Sequence, residues 1–425
     1  MEDTIKQNNN TVLFPRCIQF ISIIMFIALS SSLADNAWNQ LAFAKKEVST
    51  LTLGPNMMAI SDSPSVFVAV VDSGVFTITL VGDTVRSFPN KTHSGSDDSD
   101  RPAGKVHSIG VVMGGAVVFA GTDSGLYTVS MFSATVPAWR PTLMLPDEPV
   151  YDIAYNDSAC CITMKSRIYK SKYIFSSWSP CSLSGAPLLP GNAKEFSSIT
   201  SWPLGKGFSA GLNGPDGATV YFADQKAVSW SNMPCIEECT CIKNKIRSLV
   251  ADSVGTLYAG TSEGIFYRSD FDTGCWHSIY PQLPLSVNEM KTYGKIIPGS
   301  PVDLYAATDS GLYKRSLRTT SSGMWQKIFD KKTSSVLITG DFEQPVIYAA
   351  TNDGVWKYGI TTGIASDQKR ATTRTPAAYV RTTALYTING KLISNRVAGK
   401  KNMGVYIKVD RDRSGAVVRA RRLVQ

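Results

Sequence analysis

The stretch LYAGTSEGIFYRS, residues 257–269, decides how the chain is read. It recurs as VFAGTDSGLYTVS at 118–130, LYAATDSGLYKRS at 304–316 and IYAATNDGVWKYG at 347–359, and more loosely as VFVAVVDSGVFTI at 66–78. Each copy has the same physical plan. A short apolar run ends in a small pair such as Ala259-Gly260 or Ala306-Ala307, a polar turn closes on glycine, and a second β-prone run follows. Two such runs around Asp-Ser-Gly or Asn-Asp-Gly predict a hairpin, because glycine accepts the positive φ of a tight turn. The tiny residues ahead of the turn predict close backbone packing, as near the crowded axis of a radial repeat.

The turn glycines are Gly74, Gly125, Gly264, Gly311 and Gly354, and the interval from Gly125 to Gly264 has room for two more copies. Two degenerate ones are ITMKSRIYKS at 162–171, with Arg167 in the glycine position, and VYFADQKAVSW at 220–230, with Ala227 there. The anchors then recur at a step of about 47 residues, the size of a four-stranded blade, and seven such blades close a ring. The expected fold class is all-β: a seven-bladed β-propeller followed by a small C-terminal β-sandwich-like domain. An open solenoid of hairpins is the alternative, and the step is long for it. A chain of 425 residues is too large for one ordinary core and suits a closed ring. With 43% hydrophobic and 18% charged residues, the composition is that of a folded protein with an uncharged polar surface. The formal charge of +9 is spread along the chain and biases it only weakly towards acidic partners.

The less regular half of each unit carries Trp139, Trp178, Trp276 or Trp325, which are expected to pack between blades. The text DFDTGCW at 270–276 resembles a worn Asp-box turn of the BNR-type, sialidase-like and sortilin-like repeat families. The resemblance spans roughly residues 40–360, and the GTxxGLYxS half fits it well. The box half departs from it: Asp272, Gly274 and Trp276 stand one residue closer than D-x-G-x-x-W, and the other tryptophans lack the aspartate. The resemblance implies a propeller with the box in a hairpin turn at the outer edge of each blade.

The ends of the chain read as addresses. Residues 18–29, IQFISIIMFIAL, form an apolar run followed by SSSLAD, with Ser32 and Ala34 at the small positions of a cleavage site. Residues 1–34 are therefore expected to be a signal peptide, an uncleaved anchor being the alternative. The remaining cysteines, Cys160, Cys161, Cys181, Cys235, Cys239, Cys241 and Cys275, fit an oxidising compartment. Disulfides or free thiols are expected: Cys160 or Cys161 could pair with Cys181 within one blade, and with seven cysteines left at least one is unpaired or intermolecular; a metal site at Cys235, Cys239 and Cys241 is the alternative, though their spacing is not that of a zinc ribbon.

After a propeller at 35–360, the polar stretch 361–379 reads as a linker. Strands are expected at 385–388, 391–393, 404–409 and 416–423, with a turn at Asn389-Gly390. On Tyr386, Gly390, Lys391, Ile393, Gly404, Tyr406 and Val409, segment 380–425 resembles the C-terminal sorting domain of the type IX secretion system. Thr387 and Lys391 depart from that pattern's commoner residues. The resemblance implies recognition by outer-membrane secretion machinery. The tail is expected to add no blade, because the apolar stretch Trp38–Leu53 can close the ring instead.

Chemistry is sparse. Asp123, Glu263, Asp309 and Asp353 all fall in the repeat turn, so side chains bonding backbone amides are expected there, not catalysis. Two-propeller glycosidases resembling xyloglucanases share the GTxxGLYxS texture but set a carboxylate pair across a cleft between two rings, and seven repeats give one ring. Sialidases need three arginines on a carboxylate, and no arginine recurs at a blade entrance. Nucleotide-binding, zinc-protease and serine-hydrolase motifs are absent. Asp97, Asp98 and Asp100 lie close together without EF-hand spacing and read as a solvated loop, with calcium as the alternative. With only His93, His107 and His277, a histidine relay is not expected. No catalytic, cofactor-binding or metal residue is assigned, and no cofactor. The expected function is a secreted or surface propeller binding an extracellular protein or glycan, with no nucleic acid; the alternative is a single-propeller glycoside hydrolase.

Overall fold

The computed structural model describes residues 38–54, 64–80, 82–89, 101–112, 116–130, 137–171, 177–184, 194–203, 206–215, 217–233, 242–253, 255–268, 275–294, 302–317, 323–341 and 344–359, and the strands between 382 and 424. The chain divides into two compact units, Met1–Gly363 and Ile364–Gln425.

The first unit is a seven-bladed β-propeller, one sheet to a blade. The N-terminal strand β1 is Trp38–Ala42. Blade 1 is β2 (Val48–Gly54), β3 (Ser65–Val70), β4 (Gly74–Thr79) and β5 (Val85–Ser87). Blade 2 is β6 (Val106–Val112), β7 (Val117–Thr122), β8 (Gly125–Ser130) and β9 (Arg140–Pro141). Blade 3 is β10 (Val150–Tyr155), β11 (Cys160–Met164), β12 (Ile168–Ser171) and β13 (Ser179–Pro180). Blade 4 places β14 (Ser182–Ser184) parallel to its outer strand, beyond β15 (Glu195–Ser201), β16 (Gly207–Gly214), β17 (Gly217–Asp224) and β18 (Ser229–Met233). Blade 5 is β19 (Ile246–Ala251), β20 (Leu257–Thr261), β21 (Gly264–Arg268) and β22 (His277–Ser278). Blade 6 is β23 (Val287–Gly294), β24 (Val302–Thr308), β25 (Gly311–Ser316) and β26 (Gln326–Phe329). Blade 7 is β27 (Thr333–Asp341), β28 (Gln344–Thr351) and β29 (Gly354–Tyr358), completed by β1.

The first strands of the blades lie side by side in the order β2, β6, β10, β15, β19, β23, β27 and back to β2. Closure comes from the N-terminus, where β1 pairs antiparallel with β29 in the register Trp38↔Tyr358. The five anchor glycines all have positive φ, from +96° at Gly74 and Gly354 to +136° at Gly311. In blade 3, Arg167 occupies the same turn, bonded by its carbonyl to Met164 N–H, without entering the left-handed region.

Blade 4 corrects the expected register. Its hairpin between second and third strands ends at Gly217, with φ +125°, while Ala227, with φ +50°, lies one turn later between β17 and β18. The true copy is GFSAGLNGPDGATVYFAD at 207–224, whose hairpin is longer, so its turn no longer reads like the others.

The small pairs do meet neighbours closely, but between blades and not at the axis. A Cβ on Gly121 would stand 2.7 Å from the Val150 side chain of blade 3 and 2.9 Å from its carbonyl oxygen, and one on Gly260 2.7 Å from the Val287 side chain of blade 6. Hydrophobic clusters likewise draw on neighbouring blades, as where Phe67 and Ala69 meet Val118, Ala120 and Trp139.

In the second unit, β30 (Thr382–Thr387), β31 (Leu392–Ser394), β32 (Val405–Arg411) and β33 (Val417–Val424) form one antiparallel sheet in the order β31-β30-β32-β33. These strands enter no blade, and the described residues supply one layer, not the two of a sandwich. The stretches read as signal (1–34) and linker (361–379) lie outside the described residues, as do Asp97, Asp98, Asp100, Asp272, Gly274, Cys235, Cys239, Cys241 and the Asn389-Gly390 turn.

Candidate functional site

The inner strands of a propeller present a free backbone edge to the axial channel, and unpaired edge groups must find partners. Each inner strand here begins with a bulge, at Val48/Thr50, Val106/Ser108, Val150/Asp152, Phe196/Ser198, Ile246/Ser248, Val287/Glu289 and Thr333/Ser335. A bulge re-aims the side chain that follows it. At five of the junctions that third side chain accepts an N–H of the next blade. Ser335 takes Leu51, Asp152 takes Ile199, Ser198 takes Leu249, Ser248 takes Met290 and Glu289 takes Val336, all at 2.9–3.0 Å. The second side chain often adds a bond to the next blade's first carbonyl, as Ser197 does to Ile246 (2.7 Å), Asn288 to Thr333 (3.0 Å) and Ser334 to Val48 (2.6 Å).

Two members of this belt are carboxylates. Asp152 accepts from Ser108 Oγ (3.0 Å), Ser198 Oγ (3.2 Å), Ile153 N–H (2.8 Å) and Ile199 N–H (2.9 Å), tying three blades together. Burial pushes its pKa up against the pull of those backbone bonds and of Lys291. Glu289 Oε1 lies 2.8 Å from Lys291 Nζ. Burial opposes the Lys291 charge, but Glu289, Asp152 and Tyr155 together hold its pKa above the ordinary lysine value. Asp152 and Tyr155 belong to blade 3 and Lys291 to blade 6, on opposite sides of the ring, and their charges act on one another. Burial, with Cys160, raises the Tyr155 pKa, while Lys291 pulls it down.

The repeat turns cluster where the inner strands begin. Their clamp is a fully buried threonine. Thr122, Thr261, Thr308 and Thr351 each donate Oγ1 to the carbonyl of the anchor glycine at 2.8–3.1 Å and accept the N–H two residues on. The aspartates reach outward from the turn. Asp123 accepts Lys105 N–H and stands 2.6 Å from His107 Nε2. Asp309 binds Asn288 and Lys332, both at 3.1 Å, and these, the Asn288 bond foremost, lower its pKa. Asp353 binds Lys331 Nζ and Lys45 N–H, each at 2.9 Å, and its pKa is likewise lowered. The four sequence candidates sit in four different blades and are not brought together; the Glu263 side chain makes no bond to the described residues. Among the described residues no group of three or more His, Cys, Asp or Glu could hold a metal ion.

The tryptophans pack between blades. Trp139 donates Nε1 to Phe88 O (3.1 Å), Trp325 to Pro281 O (3.1 Å) and Trp38 to Ile328 O (2.7 Å), each reaching the preceding blade's outer edge. Cys160, Cys161 and Cys181 are free thiols, so the pairing considered within blade 3 does not form. Cys161 pairs with Lys170, whereas the Cys181 amide bonds Ile168 O, so the two cysteines stand two strands apart and offset. Two strand spacings are about 9.6 Å, beyond disulfide reach. Burial drives the Cys160 pKa to about 12 and the Cys181 pKa to about 11. Cys275 is disulfide-bonded.

No family model and no curated protein matches the chain. Solved structures do. One is the extracellular domain of a B. thetaiotaomicron protein assigned as a hybrid two component system, at 14% identity and TM-score 0.55, covering 91% of this chain and 47% of that one. A second structure of that extracellular domain gives 12% identity and TM-score 0.53, covering 88% and 44%. The β-propeller domain of Myceliophteria thermophila Cps50 gives 12% identity and TM-score 0.52, covering 76% of this chain and 100% of that one. The chain thus spans just under half the length of the first two. At these identities the likeness is one of fold.

Proposed function

We propose that the chain is an exported, non-catalytic β-propeller that binds a protein or glycan outside the cell. Residues 1–34 would serve as its signal peptide, and 380–425 as a sorting domain read by outer-membrane secretion machinery. The observation that carries the non-catalytic reading is the commitment of its carboxylates. Asp152 and Glu289, at the channel, accept backbone N–H groups of neighbouring strands. Asp123, Asp309 and Asp353 are each held by neighbours at their own turn. A glycosidase needs two carboxyl groups about 5–10 Å apart and free to face one bond. The disulfide at Cys275 and the fold likeness to an extracellular bacterial domain support export. The BNR-type and type IX resemblances are the finer part of the proposal.

Two experiments test it. Purified chain incubated with a polysaccharide panel should release no reducing ends; release that is lost on mutating Asp152 or Glu289 would establish the hydrolase instead. Deleting 380–425 in the native host should leave a folded propeller in the periplasm. Normal surface delivery of the truncated chain would remove the sorting role.

A further inference from the structure

We propose that the ring has one built-in opening, the seam between blades 1 and 2, and that blade 1 stays with blade 7 when it parts. In a ring closed by its own N-terminal strand, the terminal joint is the obvious place to come apart. The bonding between blades points elsewhere.

The inner strands show it first. Among the described residues, six of the seven junctions carry a hydrogen bond from one inner strand to the next. Between blades 7 and 1, Ser335 Oγ accepts Leu51 N–H and Ser334 Oγ donates to Val48 O. Between blades 2 and 3, Ser108 Oγ donates to Asp152 Oδ1. The next four junctions use Asp152, Ser198, Ser248 and Glu289, each accepting an N–H of the following blade. At the junction of blades 1 and 2, Thr50 holds the acceptor position and Ile109 the donor position, and neither makes such a bond to a described residue. Ser49 turns back to Ala69 O of its own blade, at 3.4 Å. Serine fills the acceptor position of blades 4, 5 and 7, where its hydroxyl can swing to the next strand; the branched Cβ of Thr50 restricts that rotation.

The remaining ties agree. Blade 7 also grips blade 1 through Lys357, whose buried Nζ lies 2.8 and 2.9 Å from the two Asp83 carboxylate oxygens. Blades 1 and 2 share Trp139 Nε1 on Phe88 O at the outer edge (3.1 Å) and an exposed 3.4 Å contact from Arg101 to Asp72 O. Otherwise their seam is apolar: Phe67, Ala69 and Val75 meet Val111, Val118 and Ala120. Such packing holds the seam shut at rest but is non-directional, so it fixes the angle between blades less firmly than a bonded strand edge. The covalent tether is loosest here as well. Residues 88–105 form the longest connection between consecutive blades, against 330–332 between blades 6 and 7, and a long connection lets two blades part without strain on the chain. Local opening follows the least-bonded boundary of a fold.

The test is site-resolved thiol labelling of the native full chain. Three fully buried positions report three seams: Ala69→Cys for blades 1 and 2, Ala350→Cys for blades 7 and 1, and the natural Cys161 for blades 3 and 4. With iodoacetamide in excess and peptides read by mass spectrometry, the Ala69→Cys site should be labelled about tenfold faster than the other two, the order of effect that one or two missing hydrogen bonds produce. Adding Thr50→Ser, which restores the acceptor used in blades 4, 5 and 7, should slow that labelling severalfold and leave Cys161 unchanged. If Ala69→Cys lowers the unfolding midpoint, Ala120→Cys on the opposite wall of the same seam replaces it. Equal rates at the three sites would mean that only global unfolding exposes them, and faster labelling at Ala350→Cys would place the opening at the terminal joint. Either result overturns the proposal, as does a rate ratio that Thr50→Ser leaves untouched.

Discussion

Closure of the ring through one side chain can be tested at Trp38. In β1 it is the only fully buried side chain; Asn39 and Gln40 are exposed, and Leu41 and Ala42 half-buried. Trp38 is 7% exposed, stacks on Phe329 with centroids 4.3 Å apart, and donates to Ile328 O at 2.7 Å. Those contacts tie the N-terminal strand to blade 6, while the β1–β29 ladder ties it to blade 7. Trp38→Phe keeps most of the ring and removes the indole donor, so it should cost about 0.5–1.5 kcal/mol. Trp38→Ala empties the site and should cost about 3–5 kcal/mol. Urea unfolding followed by far-ultraviolet circular dichroism reads both as shifts of midpoint at constant slope. If Trp38→Ala stays within about 0.5 kcal/mol of the parent, the range of an ordinary surface change, then the closing strand is not held by this side chain and the argument fails.

Three further outcomes are expected. Thr351→Val is nearly isosteric, but it strips the turn of the bonds to Gly354 O and Asp353 N–H, so it should destabilise by about 1–3 kcal/mol in the same unfolding assay; a neutral result would show that the hydroxyl is dispensable. With their pKa values raised by burial, Cys160, Cys161 and Cys181 should escape iodoacetamide at pH 8 in the native chain and react in denaturant, as peptide mass spectrometry would show; native labelling at Cys161 would contradict the buried placement. Asp309 has a lowered pKa, so its stabilising contribution is complete above the ordinary aspartate value of 3.8 and fades as pH falls through the folded value. Unfolding midpoints of Asp309→Asn should therefore approach those of the parent as pH drops below that window, and a constant gap across it would refute the assignment.

Much of the ring was legible in the repeat turns. Gly125, Gly264, Gly311 and Gly354 mark hairpins because only a residue tolerant of positive φ closes them cheaply, and that requirement is local. Blade 4 escaped because its hairpin is longer, so Leu212-Asn213-Gly214 replaced the Thr-Asp-Ser text, while Ala227 imitated an anchor by taking a left-handed conformation in the next turn. A better signal was present in the inner strands. Val48-Ser-Thr-Leu, Val106-His-Ser-Ile, Val150-Tyr-Asp-Ile, Phe196-Ser-Ser-Ile, Ile246-Arg-Ser-Leu, Val287-Asn-Glu-Met and Thr333-Ser-Ser-Val repeat a first residue that is apolar in all but Thr333, a variable position, a hydrogen-bonding residue and an apolar residue. That pattern counts the blades and sets their register, yet it is short and polar enough to pass for ordinary strand text.

The sequence by itself therefore determined six of the seven hairpins, the number of blades and the packing role of Trp139 and Trp325, because each follows from neighbours along the chain or from a side chain too large to leave in water. Only the tertiary structure decided how the N-terminal stretch closes the ring, with β1 paired to β29 and Trp38 bonded to Ile328 O, that Cys161 and Cys181 cannot meet, and that the side chain of Asp152 ties three blades together. Those relations join residues of different strands or different blades. They depend on the ring's curvature and on the bulge that turns each inner strand's third side chain towards the next blade, and a linear text carries neither.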